Sequence, residues 1–157
     1  MFKVAFSPDV QPNTSVDTRA AREGAEAVRG VVPSDVALAV FFGMKSPRLT
    51  IDDSEIHRTF FLLQEEFLDR FPSLGLFVFA EPGKYPKPYS PVLERTLDGL
   101  RLFNFLSYRG DFESREVSGS DSSREPVLEK FTSNERLVLP KIVERFDQEC
   151  GVREENR

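Results

Sequence analysis

The chain carries one histidine, one cysteine and two adjacent acidic pairs, and any catalysis or metal binding would have to begin from these residues. A thiolate–imidazole nucleophile needs Cys150 beside His57. Cys150 stands near the end of the sequence and His57 near the start of a helical stretch, which argues against that pair. Zinc held by nitrogen and sulfur ligands needs more His and Cys than this chain owns. Asp52/Asp53 and Glu65/Glu66 could hold a hard divalent cation through oxygen, but their setting fits the solvated face of a helix. No GxGxxG or Walker loop, GxSxG elbow or HExxH helix is present. The expectation is a protein without enzymatic activity, with no catalytic residues, metal or cofactor. His57 adjoins a phenylalanine stripe and reads as a half-buried partner for a backbone carbonyl or a carboxylate. A pH switch is its functional alternative.

Chemistry of recognition is better represented. Between residues 84 and 115 six bases face four acids, a balance of +2 in a chain of net charge −5. Between 52 and 71 two arginines face six acids, a balance of −4, so charge is segregated along the sequence. The basic stretch contains "KPYSPVLERTLDGLRLFNFLSYRGDFESREV", which reads as a short helix running into a two-stranded ribbon. Lys84, Lys87, Tyr89 and Ser90 lead into the helix N-terminus, where backbone N–H groups favour phosphate. Arg95 is the main base-reading side chain on the helix, and Arg101 and Arg109 follow. These seven residues form the candidate nucleic-acid-binding set. Against it stand the acidic pI of about 5.1 and the acids Glu94 and Asp98 on the same helix.

The elements that must position these residues follow from pattern. "MFKVAF" alternates as a short strand, and residues 9–30, Ala- and charge-rich, read as a mobile or helical arm. A single compact domain spans 31–152, and 153–157 form a frayed tail. Ser34 caps a buried helix over about 35–44. Asp52 and Glu55 have capping-box spacing, and Ile56, Phe60, Leu63 and Phe67 make one buried stripe that Pro72 ends. "GLFVFAE", 75–81, reads as a buried strand, and "PGKYPKPY" as a stiff loop. Ser90–Pro91 starts the next helix, with Leu93, Leu97 and Leu100 inward and Gly99 as its end or bend. "RLFNFLSY" and "FESREV" are strands joined by the "RGD" turn, and 118–126 is a low-complexity loop. Thr132 and Glu135 cap a last helix with Leu139, Ile142, Val143 and Phe146 inward. Pro140 kinks it or marks its true start, and Gly151 stops it. A core filled by 15 phenylalanines needs no disulfide, and a lone cysteine allows none within the chain, which fits a reducing compartment. No apolar run approaches a membrane span, and the opening residues lack a secretory pattern, so a cytoplasmic location without membrane contact is expected.

The succession "IHRTFFLLQEEF", "YPKPYSPVLERTLDGLRLFNFLS" and "FTSNERLVLPKIVERF" resembles small prokaryotic proteins of the YwgA-like and Panacea (SocA-like antitoxin) type. His57 to Glu66, Tyr85 to Leu106 and Phe131 to Phe146 take the places of that pattern, over roughly residues 34–148. The glycine usual before "PYS" is replaced by Lys87–Pro88. The resemblance implies a helical, winged-helix-like domain without enzymatic activity, and for the Panacea group toxin neutralisation or protein-partner binding. The reading is therefore an α+β fold, mainly helical and winged-helix-like, with a β-hairpin and one or two further short strands. The expected function is a non-enzymatic, DNA-linked regulatory module with duplex DNA as partner. The alternative is a protein-interaction or antitoxin-like module that does not bind DNA. Self-association as a homodimer would use the arm or the last helix.

Overall fold

Pro33 opens the first helix, α1 (Pro33–Gly43), because proline loses no hydrogen bond at a helix start. Its N-cap is Val32, not Ser34: the Asp35 carboxylate reaches back and accepts the Val32 N–H at 2.9 Å, doing the work expected of the serine. The computed structural model describes residues 30–50, 52–108, 114–118 and 121–152. The expected strand at 1–8, the arm at 9–30 except for Gly30, the RGD turn and the tail lie outside these residues.

After α1 come β1 (Arg48–Thr50), α2 (Asp53–Phe67), a 3-10 helix (Pro72–Leu76), α3 (Pro91–Leu102), β2 (Leu106–Tyr108) and β3 (Ser114–Val117). Two further helices, α4 (Asp121–Leu128) and α5 (Ser133–Cys150), complete the order. The three strands form one antiparallel sheet in the order β1-β3-β2. Leu49 faces Arg115 across β1 and β3, and Ser107 faces Glu116 across β2 and β3. A helix, a strand, two helices and a hairpin whose second strand lies centrally is a winged-helix-like arrangement. The fold is thus α+β and mainly helical.

The core is aromatic. Phe41 of α1, Phe60 of α2 and Phe146 of α5 meet pairwise at ring-centroid distances of 6.3, 5.6 and 5.2 Å. The stripe Ile56, Phe60, Leu63 and Phe67 is buried, as are Leu139, Ile142, Val143 and Phe146. Thr132 and Glu135 form their capping box. The helix runs unbroken through Pro140, so α5 begins at Ser133.

Five further expectations are corrected. Residues 75–81 are not a strand: Gln64 Nε2 donates to the Leu74 and Phe77 carbonyls, both at 2.7 Å, and holds the 3-10 turn against α2. "RLFNFLSY" is mostly not strand. α3 runs through Gly99 to Leu102, and Asn104, at φ 63°, ends it. The Phe105 N–H then closes back on the Leu100 carbonyl at 2.8 Å, a left-handed C-terminal cap that asparagine tolerates. A strand at Arg48–Thr50 stands where only a helix break was expected. Within the expected loop at 118–126 lies most of α4, which contains Pro126. In the Asp52–Glu55 box only half forms: Asp52 accepts the Ser54 N–H at 3.0 Å, while Glu55 turns to Arg58 and Lys87.

Candidate binding face around α3

The N-terminus of α3 is built by three side chains. Ser90 is fully buried, and its Oγ accepts the Leu93 N–H at 3.2 Å. Its own N–H donates to His57 Nδ1 at 3.0 Å. The Tyr89 ring stacks on the imidazole at 5.0 Å, and its hydroxyl donates to Glu94. Tyr85 meets Tyr89 at 4.9 Å, so the proline-rich loop is pinned to α2 by a run of rings. His57, 3% exposed, is therefore a neutral acceptor for a backbone N–H rather than the half-buried donor expected. Burial holds its pKa below the usual range, against the opposing pull of Glu94 and Asp53.

The seven candidate nucleic-acid residues separate into groups. Ser90 and Tyr89 are structural, as just described. Lys87 Nζ lies 3.4 Å from both Glu55 Oε1 and Ser54 Oγ. Arg101 meets Asp53 at 2.7 Å and also contacts Asp98. Lys84 is exposed, its Nζ 5.9 Å from the Tyr85 ring centre. Arg95 is exposed and has no ion pair among the described residues. Arg109 lies outside the described residues.

Missed by sequence reasoning was the outward side of α3. Pro91, Arg95, Asp98 and Leu102 are its exposed positions, a single stripe at helical spacing. The stripe ends on Leu102 and Phe103, 77% and 74% exposed. Beside it runs a groove of about 450 Å³ between α1 and α3, lined by Leu38, Val92, Leu100, Phe103 and Phe105, with Arg95 among its walls. The signal was legible in "GLRLFNF", had its inward and outward residues been assigned to a helix instead of a strand.

The other chemically able residues are engaged. Cys150 is buried, with its Sγ 3.2 Å from Thr59 Oγ1, and burial pushes the thiol up to about 11. Asp53 contacts two arginines, Arg101 and Arg115, and Glu66 faces Arg145 at 3.7 Å. Among the described residues no group of three His, Cys, Asp or Glu is placed to hold a metal. None of the described helices is long and apolar enough to cross a membrane. The chain matches no family model, no curated protein and no solved structure.

Proposed function

We propose that this protein is a non-enzymatic binding module whose α3 face grips an apolar, acid-bearing segment of a partner protein. One observation carries the reading: the outward stripe of α3 has a single cation, Arg95, without an ion pair among the described residues, and runs into Leu102 and Phe103, which stand in water beside an apolar groove. Exposed aromatic and leucine side chains at a groove mark docking sites, because covering them removes apolar area from water. Arg95 on the groove wall supplies a contact for a carboxylate on the partner. An antitoxin-like role, neutralising another protein by occupying it, belongs to this class.

A second reading, duplex-DNA regulation, is favoured by the strand order and by the place of α3 in the winged-helix arrangement. Fold alone does not decide between them. The deciding experiment replaces Phe103 by a photo-crosslinking phenylalanine in cells, with Leu137, equally exposed on α5, as control. Adducts with one protein from position 103, lost with Leu102→Asp and absent from position 137, support the reading. In parallel, fluorescence anisotropy of labelled duplex at two salt concentrations reports DNA binding. Salt-sensitive binding that Arg95→Glu abolishes, without crosslinked protein, overturns the protein reading in favour of DNA.

A further inference from the structure

A second cavity, of about 520 Å³, opens between α1, α4 and α5, and shares no lining residue with the α3 groove. Its size is that of a small-molecule site. Leu128, Leu139 and Val143 give it an apolar floor. Lys45, Arg124 and Arg136 stand around it, all exposed. None of the three has an ion pair among the described residues, whereas Arg58, Lys87, Arg101, Lys130 and Arg145 all meet carboxylates of their own chain. Three cations without an ion pair among the described residues thus line one cavity in a chain of net charge −5.

The lining is polarised. Arg124 stands one turn before Leu128 and Arg136 one turn after Thr132, so both flank the short connection from α4 to α5. Two acids, Glu144 and Asp147, also line the cavity. At 1.5 Å per residue they lie roughly 12 and 16 Å further along α5 than Arg136. Lys45 enters from the end of α1, where Gly43 abuts Val143 so closely that an added Cβ would sit 2.8 Å from its Cγ2. The two arginines thus mark the end of the cavity beside the α4–α5 connection, and the acids lie further along α5.

We infer that this cavity binds a small organic carboxylate with an apolar body, its anionic head between Arg124 and Arg136 and its body on Leu128, Leu139 and Val143. The guanidinium fork matches a carboxylate in two parallel hydrogen bonds, and the floor supplies area that an inorganic anion would not use. The site is independent of the α3 face and stands whichever partner that face takes.

The test is calorimetric titration of the full chain with octanoate, octanol and octylamine, which share one tail and differ in head charge. Octanoate should bind saturably at one site, and at least about tenfold more tightly than octanol. An Arg124→Glu/Arg136→Glu variant, altered only at exposed positions and checked for native circular dichroism, should lose octanoate binding. Equal affinity for octanol, tighter binding of octylamine, octanoate binding unchanged in the variant, or no binding of octanoate at millimolar concentration would each overturn the assignment.

Discussion

Replacing Asp53 by asparagine tests how α2, α3 and the sheet are held together, and it separates the two functional readings. Asp53 stands in the first turn of α2 and contacts two arginines, Arg101 of α3 at 2.7 Å and Arg115 of β3 at 2.6 Å. The Arg101 contact is partly exposed, and pairs of that kind contribute about 0.2–1 kcal/mol. Arg115 is only 4% exposed. Removing a carboxylate from a fully buried pair costs about 3–5 kcal/mol. The Asp53 side chain is 36% exposed, so solvent screening reduces that to roughly 2 kcal/mol. Loss of a negative charge at a helix N-terminus adds about 0.5 kcal/mol. The sum is about 3 kcal/mol, a fall in Tm of roughly 6–12 °C for a chain of this size. Thermal unfolding followed by circular dichroism measures it. A fall below about 2 °C would refute the claim that this carboxylate joins the three elements. The same variant removes one of the two carboxylates that Arg101 meets, leaving Asp98. If α3 reads DNA, Asp53→Asn should bind duplex more tightly than the parent in anisotropy, with a steeper salt dependence. If it docks protein, neither chain binds duplex.

Glu135→Ala should destabilise by about 2–4 kcal/mol, because Glu135, 1% exposed, accepts the buried Ser73 N–H at 3.0 Å and closes the α5 cap. Glu135→Gln, which keeps an acceptor oxygen, should lose clearly less in urea unfolding, and equal losses would contradict this account. The neutral, buried His57 makes stability depend on pH. Its folded pKa lies below the unfolded value of about 6.5, so the unfolded state binds more protons in that window. Stability is then complete above about pH 6.5 and declines as pH falls toward the folded pKa. A Tm that falls between pH 7.5 and 5.5, and falls less in His57→Gln, is the expected result. An identical profile in the variant would remove His57 as the cause. Cys150, held up to about 11 and buried against Thr59, should resist alkylation at pH 8 in the native protein and react once the chain is unfolded in urea. Rapid native labelling would show that the end of α5 opens.

Much of the fold was legible because the long helices carry strong local signals. The phenylalanine stripe of α2, the Thr132–Glu135 cap and the Ser90–Pro91 start each combine periodicity with a capping residue, and local chemistry suffices there. The failures share a cause. Residues 75–81 look like a buried strand, yet Gln64, ten residues upstream of Leu74, takes the carbonyls that a neighbouring strand would need. β1 has only three residues and exists because β3 pairs with it, a partner more than sixty residues away that no local pattern announces. Leu102 and Phe103 went unread because a short apolar run does not distinguish strand from helix end, and Asn104, the residue that ends the helix, was less conspicuous than Gly99. The candidate site suffered most, since whether a cation is paired depends on contacts across the chain.

The segregation of charge along the sequence gains its meaning from the fold. A basic stretch and an acidic stretch read separately as a phosphate-binding face and a solvated helix. Folding lays one against the other: Lys87 meets Glu55, and Arg101 and Arg115 meet Asp53. The acids of the first turn of α2 thus neutralise the bases brought to them from the loop, α3 and β3, and the complementarity is internal. What remains outward on α3 is one arginine, one aspartate and an apolar end. Three of the cations without an ion pair among the described residues, Lys45, Arg124 and Arg136, line a different cavity altogether. Phosphate recognition at α3 through Lys87 or Arg101 would therefore have to displace internal ion pairs, which leaves Arg95 as the outward cation of the helix. Docking of an apolar segment there, and of an anion beside α5, would use side chains already facing water.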